Sequence, residues 1–172
     1  MNRRFRIIIV ALAGIGLAYA VANGYYNVCV YILGLIGYMI WSEYREGTVF
    51  LATQAFHKQD YEKTKRLLAE IKNPDHLRKN RRNFYEFMQG NIALKEDRID
   101  EAEYHFQLAS RLPWKRDHEK GMVLINLANI NLRKKEYERV AAYVELSEKL
   151  KLTPRQTDIL QKIKSNVDKF KS

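Results

Sequence analysis

A period of 38 residues, running through the chain after about residue 45, narrows what this sequence can fold into more than any other feature. Shifted by that interval, Leu51-Ala52 falls on Gln89-Gly90 and Leu127-Ala128, and Tyr61 falls on Ile99 and Tyr137. Thr64, Ala102 and Val140 correspond in the same way, as do Leu68, Phe106 and Val144. Prolines at Pro74, Pro113 and Pro154 keep a similar rhythm, at intervals of 39 and 41 residues. Beyond Gly47 the only glycines are Gly90 and Gly121, and strand-like alternation is absent, so the reading is all-α.

Each unit holds two helical patterns separated by a short polar turn: Lys58-Gln59-Asp60, Glu96-Asp97-Arg98 and Lys134-Lys135-Glu136. Glu62, Asp100 and Glu138 follow these turns, placing an acid in the first turn of each second helix, where the helix dipole favours negative charge. Ala52, Gly90 and Ala128 are small where the paired helices must touch. A single hairpin of this kind cannot bury its apolar side; three stacked hairpins share a continuous core. After Pro154, Arg155 opens a final helix with the apolar stripe Ile159, Leu160, Ile163 and Val167, flanked by Lys162, Lys164, Lys169 and Lys171, as expected of a solvating cap.

These residues resemble the tetratricopeptide repeat family. The middle unit carries the pattern through Gly90, Ala102, Phe106, Ala109 and Pro113. The third keeps Leu127, Ala128, Tyr137 and Pro154 but has Val140 and Ser147, and the first has Thr64 and Ile71. The family's early Trp is missing throughout, and the period is four residues longer than the usual ~34. The resemblance covers residues 45–154 and implies a short α-solenoid of three helix-turn-helix units. It also implies a concave groove for peptides or partner helices, lined by Phe84, Phe87, Met88, Asn91 and Lys95 in the middle unit. The third unit would supply Met122, Ile125, Asn126, Asn129 and Arg133, and the first Val49, Phe50, Thr53 and His57. Asn side chains can bond an extended backbone as donor and acceptor, and Phe and Met offer adaptable apolar contact. Relatives that clamp a C-terminal carboxylate use Lys or Arg with such Asn residues; here Phe87 stands where a clamping Lys is expected. Burial of Phe84, Phe87 and Ile125 between units is the competing reading.

The N-terminal part differs in kind. No charged residue occurs from Ile7 to Ser42, a run of 36, whereas all 20 acids and 27 of the 30 Lys+Arg follow it. At ~1.5 Å per residue a single helix of that length would far exceed a ~30 Å hydrocarbon core. A break at Asn23-Gly24 gives two arms, 5–22 and 25–42, and the expectation of a transmembrane hairpin. Tyr25 and Tyr26 at the turn, and Tyr38, Trp41 and Tyr44 at the exit, occupy interfacial positions. Gly14, Ala18 and Ala22, Gly16 and Ala20, and Gly34 and Gly37 would allow close helix approach, with the lone Cys29 as one more small apolar residue. Arg3, Arg4 and Arg6 would hold the N-terminus in the cytoplasm, and two crossings would return the repeats there. Cleavage of a signal peptide after Ala20-Val21-Ala22 is the alternative. The expected organisation is thus a basic N-terminus and hairpin over 1–44, repeats over 45–154 and a capping helix over 155–172.

No catalytic set emerges. His57, His76, His105 and His118 occur singly without metal-ligand spacing, no Gly-rich loop could cradle phosphate, and no cofactor is implied. Arg78, Lys79, Arg81 and Arg82 form a basic cluster that suits anionic lipid or an acidic partner, or is simply a solvated helix face. Interleaved acids disfavour nucleic acid. The functional expectation is a membrane-anchored adaptor that binds a protein partner through its cytoplasmic repeats. The alternative is an accessory subunit of a membrane complex, held mainly through its hairpin.

Overall fold

The three polar turns at the 38-residue period close their helices with one hydrogen-bond motif. Gln59, Asp97 and Lys135 adopt left-handed backbone conformations, with φ of 61°, 57° and 61°. The following amides, of Asp60, Arg98 and Glu136, donate to the carbonyls of Ala55, Ala93 and Asn131 at 3.0, 2.8 and 2.9 Å. This is the Schellman closure, which satisfies carbonyls that a helix end would leave orphaned. The computed structural model describes the backbone of residues 3–171, and the side chains of 3–8, 10, 39, 40, 42–47 and 168–171 lie outside it. Arg3, Arg4 and Arg6, Tyr44, Lys169 and Lys171 are therefore outside the side chains described.

In chain order the helices are α1 (Arg3–Ala22), α2 (Tyr26–His57), α3 (Tyr61–Ala69), α4 (Lys79–Lys95), α5 (Ile99–Arg111), α6 (Asp117–Arg133), α7 (Tyr137–Glu148) and α8 (Pro154–Lys171). A single 3-10 turn, Pro74–His76, precedes α4, and no strand occurs among the described residues. The chain divides into two units, Met1–Gly47 and Thr48–Ser172, with the boundary inside α2.

In the first unit the break falls at Asn23-Gly24. Gly24 has φ of 74°, and the amide of Tyr25 donates to the carbonyl of Ala20 at 2.9 Å. The transmembrane hairpin and the integral-membrane placement expected from the charge-free run are corrected here: among the described residues, no helix is long and apolar enough to cross a membrane. The turn falls where the sequence placed it; the arms beside it are short, with a charge-free stretch of 16 residues (7–22) in α1 and of 17 (26–42) in α2 before Glu43. At ~1.5 Å per residue these reach about 24–26 Å, short of the ~30 Å core. Large apolar side chains stay exposed here, among them Ile15, Tyr19, Tyr26, Val30 and Tyr31, while Ala20 and Cys29 are buried.

The second unit is a run of helices, each packed on its neighbours. Val49, Ala52, Leu68, Met88 and Ile92 form a cluster that joins the end of α2 to α3 and α4. Ala93, Ala102, Phe106, Val123 and Leu127 continue it through α5 and α6. Ile125, Ala128, Val140 and Val144 then meet Leu160, Ile163 and Val167, the stripe of α8. Each large side chain so buried contributes about 1.5–3 kcal/mol. The period is visible in burial: Thr64, Ala102 and Val140 are all at 0% exposure, as are Ala52 and Ala128. At Gly90 the helices approach so closely that an added Cβ would sit 2.9 Å from the Phe106 ring. A small residue is therefore required by packing at this point in the α4–α5 pair.

Candidate protein-binding face

The first helix of each repeat presents one face to the core and another outward, and the 38-residue register decides which side chain lies where. Positions 49, 87 and 125 are occupied by Val49, Phe87 and Ile125, and these pack inward. Phe87 is half-buried at the centre of an aromatic group, edge-on to Phe56, Phe106 and Trp114 at centroid distances of 5.9, 6.0 and 6.2 Å. Phe84 meets Trp114 at 5.2 Å. Met88 and Ile125 are buried at 1% and 3% exposure, so packing uses them and a partner cannot reach them.

Positions 53, 91 and 129 form a polar row. Thr53 donates its hydroxyl to the Val49 carbonyl at 2.8 Å, and Asn91 donates its amide to the Phe87 carbonyl at 2.7 Å. Each side chain thus spends a donor on its own helix and keeps oxygen lone pairs available to accept. Both are half-buried, and Asn129 is exposed. Positions 57, 95 and 133 form an exposed basic row of His57, Lys95 and Arg133. Lys95 Nζ sits 3.7 Å over the Tyr61 ring, and Arg133 lies 3.2 Å from Asp97. These contacts hold the two long side chains in place at the surface. Met122 is exposed, Asn126 is half-buried and Phe50 is exposed.

The basic cluster is divided. Arg82 is committed to Glu86, with Nε 3.1 Å from Oε1, and also pairs with Asp75. Glu86, at 2% exposure, additionally meets His105 Nδ1 at 2.7 Å. Arg78 and Lys79 are exposed and Arg81 is half-buried, at the entry to α4. Among the described residues no group of three or more His, Cys, Asp or Glu is placed to hold a metal ion.

Two features escaped sequence reasoning. Trp114, which reads as part of a linker, donates its Nε1–H to the Ala109 carbonyl at 2.8 Å and closes the aromatic group. A lone Trp directly after Pro113 was the available signal. The Glu86–His105 pair joins residues 19 apart, on adjacent helices, and no short-range spacing reveals it.

No protein-family model matches the chain, and no curated protein and no solved structure matches it.

Proposed function

We propose that the second unit is a tetratricopeptide-like array that binds a protein partner, as an extended segment or a helix, along the outward face of α2, α4 and α6. The observation that carries this reading is the polar row Thr53, Asn91 and Asn129 with the basic row His57, Lys95 and Arg133. Both repeat with the period of the fold, the basic row and Asn129 exposed and Thr53 and Asn91 half-buried, while Val49, Met88 and Ile125 beside them are buried. Side chains kept in register over successive units can read successive residues of a bound chain, with amide oxygens accepting from its backbone and cations favouring acidic side chains. No reaction chemistry is part of the reading.

The test is the double variant Asn91→Ala, Asn129→Ala. Partner capture should weaken about tenfold, on the order of 0.5–1.5 kcal/mol for each hydrogen bond lost, while the thermal midpoint stays within about 2 °C of the parent. Unchanged capture would remove the polar row from the binding face. A second reading is favoured by the exposed apolar side chains of the first unit: residues 1–47 are the interface with a larger assembly. Deleting them separates the readings, because association lost entirely with that segment places the interface there.

A further inference from the structure

The 38-residue shift also relates the charges at the two junctions between repeats. Lys65, Glu96, Arg98 and Glu101 fall on Glu103, Lys134, Glu136 and Arg139, so four charged positions recur with every sign reversed. At the first junction Lys65, on α3, lies 2.5 Å from Glu96 in the next turn, and Arg98 pairs with both Glu96 and Glu101. At the second junction Glu103, on α5, lies 2.6 Å from Lys134 in the next turn and 2.7 Å from Arg139, which in turn meets Glu136 at 2.5 Å. Lys134 also contacts Asp100 at 2.5 Å.

Both junctions are internally complementary, so the reversal leaves their pairing intact and changes which surfaces tolerate one another. The turn of the first unit, Lys58, Asp60 and Lys63, has the same signs as Lys134, Glu136 and Arg139. The three turns therefore alternate along the chain. If α3 docked on the third turn, skipping a unit, Lys65 would face Lys134. In a second copy, α3 on the first turn would set Lys65 against Lys58, and α5 on the middle turn would set Glu103 against Glu96. Only Glu103 against Lys58 of a second copy matches in sign among the wrong dockings. The third equivalent position, Ala141, is uncharged, and there the series gives way to α8.

We infer that this sign reversal is a register device: it specifies which repeat follows which, and it rejects the stacking of like units within a chain or between copies. Apolar faces built on one pattern make such mispairing a characteristic hazard of repeat arrays, and apolar contact is less selective than charge in telling such faces apart. An exposed ion pair adds little stability, yet several like charges brought together in one docking event oppose it collectively.

The test inverts the first junction in the full chain, with Lys65→Glu, Glu96→Lys, Arg98→Glu and Glu101→Arg. Pairing is preserved while all three turns become alike. Donor and acceptor populations carry dyes at Glu62→Cys and Tyr104→Cys in a Cys29→Ser background, and are unfolded together, diluted to refold and read for intermolecular energy transfer. Samples refolded separately and then mixed set the baseline. The inverted variant should keep its helix content and show about three- to tenfold more intermolecular pairing than the parent. A companion inverts the second junction instead, with Glu103→Lys, Lys134→Glu, Glu136→Arg and Arg139→Glu, and with Asp100→Asn because Asp100 contacts position 134; it makes the second and third turns alike and should also raise intermolecular pairing above the parent. Transfer equal to the parent in both variants would overturn the inference. Failure of both to fold would also overturn it, since complementarity within each junction would then not suffice.

Discussion

Lys135 holds a left-handed backbone angle that glycine adopts without strain, as do Gln59 and Asp97. Asp97 also meets Arg133, so Lys135 is the cleaner place to test the turn. Lys135→Gly should stabilise the fold by about 0.5–1 kcal/mol, raising the thermal midpoint by roughly 2–3 °C in scanning calorimetry. A lower midpoint would mean that the left-handed closure is not formed. Glu103 belongs to the same scale. Burial works against its charge, but the bond from Lys134 and the nearby Arg139 outweigh it, and the carboxyl is held below its ordinary value of 4.5. A depressed carboxylate lends stability that is complete above that ordinary value and is lost as pH falls through the folded one. Glu103→Gln should therefore cost about 1–2 kcal/mol at neutral pH and flatten the acid limb of a urea-midpoint series below about pH 4.5. An unchanged acid limb would show that this carboxylate is not coupled to folding. Glu96 is also lowered, first by its bond from Lys65, but its exposure makes it a weak contributor.

At the scale of elements, helix periodicity made the repeats legible before any coordinates. The tripeptides at 58–60, 96–98 and 134–136 mark real helix ends, and the stripe from Ile159 to Val167 supplies Leu160, Ile163 and Val167 to the core. The segment between α5 and α6 was not legible, because nothing local distinguishes a structural tryptophan from an exposed one. Trp114 pins that linker through three groups on two helices: the rings of Phe84 and Phe87, met at steep angles, and the carbonyl of Ala109. Trp114→Phe should cost about 1 kcal/mol for the lost hydrogen bond, and Trp114→Ala about 3–5 kcal/mol. Equal and small losses in both, measured by chemical denaturation, would show that the indole does not staple the linker. The first unit was misread at this same scale. Charge-free length and a correctly placed turn suggested two crossings, whereas Arg3, Arg4 and Arg6 inside α1 and Glu43 inside α2 bound each charge-free stretch, and among the described residues no helix is long and apolar enough to cross a membrane.

For the whole molecule, the proposed face is only half legible in the sequence. The repeat fixes which positions share a register, and of those grouped that way Lys95, Asn129 and Arg133 are exposed and Asn91 is half-buried. Register says nothing about depth, however, and Met88 and Ile125 at the adjoining positions are consumed by packing, Met88 in the cluster with the end of α2 and α3 and Ile125 in the cluster with α7 and α8. Depth depends on the angle between hairpins, which is set by long-range contacts such as Phe87 on Trp114 and not by local pattern. The charge reversal between junctions was written in the sequence from the start, but it acquires meaning only once the structure shows which charges meet. The central claim is that a protein partner lies along the face carrying Asn129 and Arg133. The most direct measurement replaces Asn129 with a photo-crosslinking residue in the full chain and, separately, replaces Glu145, an exposed position on α7. The account predicts a discrete crosslinked partner from position 129 that is absent from position 145 and is lost when Asn91 and Arg133 are changed to Ala. Crosslinking of that partner from position 145 but not from 129 would contradict it.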